Sequence, residues 1–85
     1  MSTIKFGKKH YGHKFGDVYD NDPMYIIWCL NNLYIPDDVD LDNPIRDQVV
    51  FVHMFNFLTY IRKRIVNNDD KATQKINYIR TKLKL

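Results

Sequence analysis

The stretch from Ile45 to Val66 contains neither glycine nor proline, and apolar residues crowd it: Val49, Val50, Phe51, Val52, Met54, Phe55, Phe57, Leu58, Ile61 and Ile65. Its polar positions Arg46, His53, Asn56, Lys63 and Asn67 recur at helical spacing, with Tyr60 on the same stripe. So narrow a polar stripe predicts a helix over 44–66 that is buried on most of its circumference. The β-branched and aromatic content of Gln48–Phe57 would also suit a strand. The run is too long for one, however, and has no turn residues to break it. Any fold for this chain has to be arranged around that helix.

The remaining elements are shorter. Asp22-Pro23 offers a capping carboxylate followed by proline at the first helical position, where its missing N–H costs nothing. This predicts a helix over 22–34 that places Ile27, Leu30 and Tyr34 on one side with Trp28 beside them, and Ile35-Pro36 stops it. An acidic loop over 35–43 leads to Asn43-Pro44, the same cap-plus-proline device, at the head of the long helix. Asn67-Asn68-Asp69-Asp70 reads as a turn and cap for a basic C-terminal helix over 70–84, whose apolar seam is Ala72, Ile76, Ile79 and Leu83.

Upstream, Ile4-Lys5-Phe6 and His13–Val18 read as two short strands. Gly7 and Gly12 bracket the connection and Gly16 breaks the second arm, giving a basic β-hairpin over 1–19. A lone hairpin is marginal in water, so this one must lie on the helices, with Phe6, Phe15 and Val18 inward. Trp28 would pack under it and fix its angle. The fold class expected is α+β: a small N-terminal β-hairpin packed on a three-helix core with a long, mostly buried central helix, all in one domain over 1–85. With 45% hydrophobic and 14% aromatic residues, such a core needs no staples.

A single cysteine, Cys29, excludes an internal disulfide framework and suits a reducing compartment. Met1–Lys5 has no signal-peptide pattern. The apolar-rich run Val49–Ile61 is interrupted by His53, Asn56 and Thr59, and is shorter than the roughly 20 residues a membrane span needs. A soluble intracellular protein is expected, with no membrane partner.

The net charge of +3 hides an ordered arrangement. Residues 1–14 carry Lys5, Lys8, Lys9 and Lys14 with no acid. Residues 17–47 carry eight aspartates against Arg46, and 48–85 are basic again. Lys8, Lys9, His10, Tyr11, His13 and Lys14 are the primary candidates for a binding site. Backbone N–H groups, ammonium donors and a stackable ring suit a phosphodiester chain with exposed bases. The plainer account is a basic turn that keeps a sheet edge from pairing. Arg62, Lys63 and Arg64 form a second candidate patch, although cations near a helix C-terminus are also favoured by its dipole.

Other chemistries fit less well. His10, His13, Cys29 and His53 are acceptable zinc ligands, but Cys29 lies in an apolar helical run and is accounted for as a small core residue. Asp38, Asp40 and Asp42 alternate like the opening of a calcium loop, yet the following glycine and the later glutamate are missing. The same aspartates could be enlisted to hold Mg²⁺ for a nuclease, but only Asp37 and Asp47 lie near them in sequence. No nucleophile–base constellation, P-loop or dinucleotide fingerprint is present. No metal, no cofactor and no catalytic residue is expected, and His53 reads as a half-buried, hydrogen-bonded histidine.

Phe6-Gly7-Lys8, Tyr11-Gly12-His13-Lys14-Phe15-Gly16-Asp17-Val18-Tyr19 and Asp22-Pro23-Met24-Tyr25-Ile26-Ile27-Trp28 together resemble a module at the C-terminal end of exonuclease X-like proteins, found also in small proteins of phages and large DNA viruses. Gly7, Lys8, Gly12, Lys14, Val18, Asp22, Tyr25 and Trp28 fit its pattern; an extra residue lengthens the Lys8–Gly12 turn and His13 replaces a lysine. The resemblance implies a non-catalytic appendage to nucleic-acid enzymes, without the exonuclease domain, and a viral setting in a host cytoplasm or nucleus. The expectation is therefore a small non-enzymatic nucleic-acid-binding accessory protein. The alternative is a viral protein-interaction module or inhibitor, docking on a host or replication protein through the central helix or the acidic belt 37–47. Surplus apolar surface on the central helix would equally suit a homodimer.

Overall fold

The computed structural model describes residues 2–84. They form four helices: α1 (Phe15–Asn21), α2 (Pro23–Asn32), α3 (Val49–Asn67) and α4 (Lys71–Leu83), with a 3-10 turn, Arg46–Gln48, leading into α3. The described residues contain no strand, so the α+β expectation is overturned: the fold is all-helical.

In place of the hairpin stands a closed loop. Thr3 and Lys14 make one isolated antiparallel bridge. The Ile4 N–H donates to the His13 carbonyl at 2.8 Å, and the Ile4 carbonyl accepts from the Gly12 N–H at 2.8 Å. Gly7 (φ +66°) and Gly12 (φ +86°) take the left-handed backbone that lets the loop turn. The pairing goes no further because the second arm is a helix. Phe15, Val18 and Tyr19 are spaced by three and one, which puts them on one helical face, and all three are buried. Gly16 does not break a strand but sits inside α1, where an added Cβ would lie 3.3 Å from the Tyr60 hydroxyl. The missing side chain lets α1 close on α3.

Asp22 caps α2: its Oδ1 accepts the Tyr25 N–H at 3.1 Å, with Pro23 at the first turn. This helix contributes more buried residues to the core than any other, Tyr25, Ile26, Ile27 and Cys29. The expectation of a mostly buried central helix over 44–66 is corrected on two counts. First, α3 buries only Phe57, Leu58 and Ile61, whereas Val49, Phe55 and Val66 are exposed. The aromatic rings packed on it (Phe6, Phe15, Tyr19 and Tyr25, against Phe57 and Tyr60) span one strip and not the circumference. Second, Asn43-Pro44 does not start the helix. Asp40 Oδ1 accepts the N–H groups of Asp42 (3.0 Å) and Asn43 (3.1 Å), the chain stays extended at Ile45, and α3 begins at Val49.

Asp70 caps α4 through the Thr73 N–H at 2.8 Å. Thr73 and Ile76 face inward, and the Thr73 hydroxyl lies 2.6 Å from the Tyr19 hydroxyl. Burying each Phe or Ile of this core contributes about 1.5–3 kcal/mol, and α1 and α2 together with the loop supply most of them.

Candidate functional site

The loop is pinned to the head of α2 by one carboxylate. While Asp22 Oδ1 caps the helix, Oδ2 accepts from His10 Nε2 at 2.8 Å and pairs with Lys9 Nζ at 3.3 Å. Burial works against the ionised Asp22, but the hydrogen bonds from His10, the Tyr25 N–H and Lys9 outweigh it and hold the carboxyl below its usual range. His10 in turn packs edge-on against Tyr25 at 4.6 Å and lies 3.1 Å from His13, Nδ1 to Nδ1.

This pinning divides the candidate residues. Lys8 and Lys9 stand on one side, at the rim of a groove of about 820 Å³ between the loop and α2, walled by Phe6, Met24, Tyr25, Trp28, Leu33 and Met54. Lys9 also lies over the Tyr25 ring, 5.7 Å from its centre. His10, His13 and Lys14 border a smaller depression on the α1 side with Asp17 and Asp22. Tyr11 is exposed at the loop tip. Among the described residues Lys8 and Lys14 have no ion-pair partner, whereas Lys9 and His10 share Asp22.

Sequence reasoning missed the groove. Trp28, expected beneath the loop, is 51% exposed, and Met24 one turn earlier is 52% exposed. The indole lies 15° from parallel to the Tyr25 ring with centroids 6.0 Å apart. A signal was available: Met24 and Trp28 are four residues apart on a helix whose buried set is Tyr25, Ile26, Ile27 and Cys29, so they share the opposite face.

The second patch is also divided. Arg62 and Lys63 are exposed and border a depression on α3 with Phe55, Thr59 and Val66. Arg64 turns inward: it pairs with Asp20 at 3.0 Å and Asp70 at 3.3 Å, donates to the Tyr60 hydroxyl at 3.1 Å, and covers the Tyr19 ring at 4.0 Å. Desolvation disfavours its charge, but Tyr60, Asp70 and Asp20 raise its pKa further than burial lowers it. Arg64 is occupied by the fold.

Cys29 is fully buried, and burial pushes its thiol up to about 12, so it is not a nucleophile at neutral pH. The described residues contain no group of three His, Cys, Asp or Glu placed to hold a metal ion. They also contain no helix long and apolar enough to cross a membrane. The site offers a cationic rim, an apolar wall and an exposed indole.

Residues 4–34 match the exodeoxyribonuclease X-like C-terminal family. The matched segment, a little over a third of the chain, contains the closed loop, α1, α2 and every residue of the groove except Met54. The family resemblance read from Phe6–Trp28 is thus shown, and it coincides with the loop and the helix pinned by Asp22. No curated protein and no solved structure matches the chain.

Proposed function

We propose that this protein is a non-enzymatic nucleic-acid-binding accessory module that holds the phosphate backbone through its N-terminal loop. Lys8 and Lys14, with no acid partner among the described residues, supply the main charge, and Lys9 adds a third contact by moving from Asp22 to a phosphate oxygen. Tyr11 is exposed beside them for stacking, His10 and His13 hold the loop's shape, and Arg62 and Lys63 form a secondary contact. The observation that carries the reading is the pair Lys8 and Lys9 at the rim of an apolar, Trp-bearing groove, inside the segment matching an exodeoxyribonuclease X-like C-terminal family. A phage or viral setting belongs to the same proposal and rests on the resemblance alone.

The test is a mobility-shift titration of labelled oligonucleotides with native protein, Lys8→Glu/Lys9→Glu/Lys14→Glu and Arg62→Glu/Lys63→Glu. The reading requires loss of binding in the first variant and a smaller loss in the second. Equal binding by all three proteins would overturn it.

A second reading has one specific observation behind it. Val66 is 82% exposed, and Ile45, Val49 and Phe55 are also exposed on or beside α3. This apolar surface suits a protein partner or a second copy of the chain. A stoichiometric partner recovered after nuclease treatment, and lost in Phe55→Asp/Val66→Asp, would support this reading; a monomer with no such partner would dismiss it.

A further inference from the structure

The geometry points to a more specific ligand, and resting on the nucleic-acid reading above, we infer that the groove beside α2 receives an unpaired nucleobase stacked on Trp28. The protein would then prefer single strands or frayed ends to continuous duplex.

Three features converge. Trp28 is the chain's one tryptophan, and its indole is half exposed where burial would be favoured. Its neighbour Tyr25 is buried, and the two rings lie within 15° of parallel in an offset stack with centroids 6.0 Å apart. Phe6, Met24, Leu33 and Met54 make the remaining walls apolar, and the volume of about 820 Å³ is that of a ligand site, with ample room for a base. Charge then selects among apolar ligands. Lys8 and Lys9 occupy the rim, and residues 2–14 carry no acid, so the occupant that fits pairs a flat ring with an anionic backbone. In a duplex both faces of each base are covered by its neighbours, so only an unpaired or splayed base can offer a face to Trp28.

Because the chain has a single tryptophan, its fluorescence reports the groove directly. The native protein would be titrated with single-stranded DNA and RNA oligonucleotides, an abasic oligomer of the same length, and a closed circular duplex with every base paired. Binding is read by anisotropy of the labelled nucleic acid and stacking by Trp28 quenching. The inference predicts quenching by single strands and none by the abasic backbone. It also predicts duplex affinity about 10-fold or more weaker, the scale of one base–aromatic stack. Trp28→Ala would lose about the same factor on single strands and little on the abasic oligomer, while Trp28→Phe retains part of it. Equal affinity for single strand, abasic backbone and duplex, without quenching, would overturn the groove assignment and leave the lysine contact standing. No binding to any of them would overturn both.

Discussion

The guanidinium of Arg64 lies 4.0 Å from the centre of the Tyr19 ring while its nitrogens reach Asp20 on α1 and Asp70 at the head of α4. One side chain thereby ties three helices, and its neighbours Arg62 and Lys63 do not take part. Removing Arg64 strips a cap-bearing carboxylate and two tyrosines of their partner. Arg64→Ala should destabilise the protein by about 1–3 kcal/mol, against less than about 0.5 kcal/mol for Arg62→Ala or Lys63→Ala. Urea unfolding of the three variants checks this.

The buried pair Tyr19–Thr73 should respond asymmetrically. The Tyr19 hydroxyl sits 2.6 Å from Thr73 Oγ1, which itself reaches Asp70 Oδ2 at 3.1 Å. Tyr19→Phe removes one hydrogen bond and leaves Thr73 bonded to Asp70, at a cost of about 0.5–1.5 kcal/mol. Thr73→Val strands the phenol in the core and should cost about 1–3 kcal/mol. Equal unfolding midpoints for the two variants would contradict this account of the contact.

What the sequence made legible was local. Asp22-Pro23 and Asp70 announce helix starts because a cap acts over three residues, and both caps are formed. Gly7 and Gly12 mark a turn because only glycine takes φ of +66° and +86° without strain. The hairpin was misread because Phe15, Val18 and Tyr19 provide barely one turn of helical period, while Ile4 and Phe6 alternate as a strand would. The extent of burial on α3 and the exposure of Trp28 were not legible, since long-range packing decides which side of a helix is covered. Arg62 and Lys63 border one depression while Arg64 is drawn to Asp20, Asp70 and Tyr60, a division set by partners distant in sequence or a turn away on α3.

Acid should destabilise the fold through Asp22 and Asp70. For Asp22, burial opposes ionisation but His10, the Tyr25 N–H and Lys9 prevail; for Asp70, the Thr73 N–H is the largest influence, and Arg64 adds to it. Both folded-state pKa values lie below the unfolded ones. The stability they contribute is complete above the ordinary aspartate range, about pH 4, and is lost as pH falls through the lowered values. Urea midpoints measured from about pH 6 to pH 2 should decline in that window, and Asp22→Asn should flatten part of the decline.

Gly7→Ala and Gly12→Ala should each cost about 1–2 kcal/mol, because neither added Cβ meets an obstacle and the strain lies in the backbone alone. The same variants test the loop's role in binding. If the loop's shape positions Lys8 and Lys9, oligonucleotide affinity should fall with the glycine substitutions although no charge has changed.

The central claim is that three loop lysines hold phosphates, and the salt dependence of binding tests it most directly. Anisotropy of a labelled single-stranded oligonucleotide, measured across a salt series, gives log K against log salt. Contacts by Lys8, Lys9 and Lys14 contribute about −2 to the slope, from roughly −0.7 per phosphate neutralised on a single strand. Lys8→Gln/Lys9→Gln/Lys14→Gln should remove that share, leaving the smaller share of Arg62 and Lys63, and should lower the affinity. No binding at low salt, or an unchanged slope in the triple variant, would contradict the account.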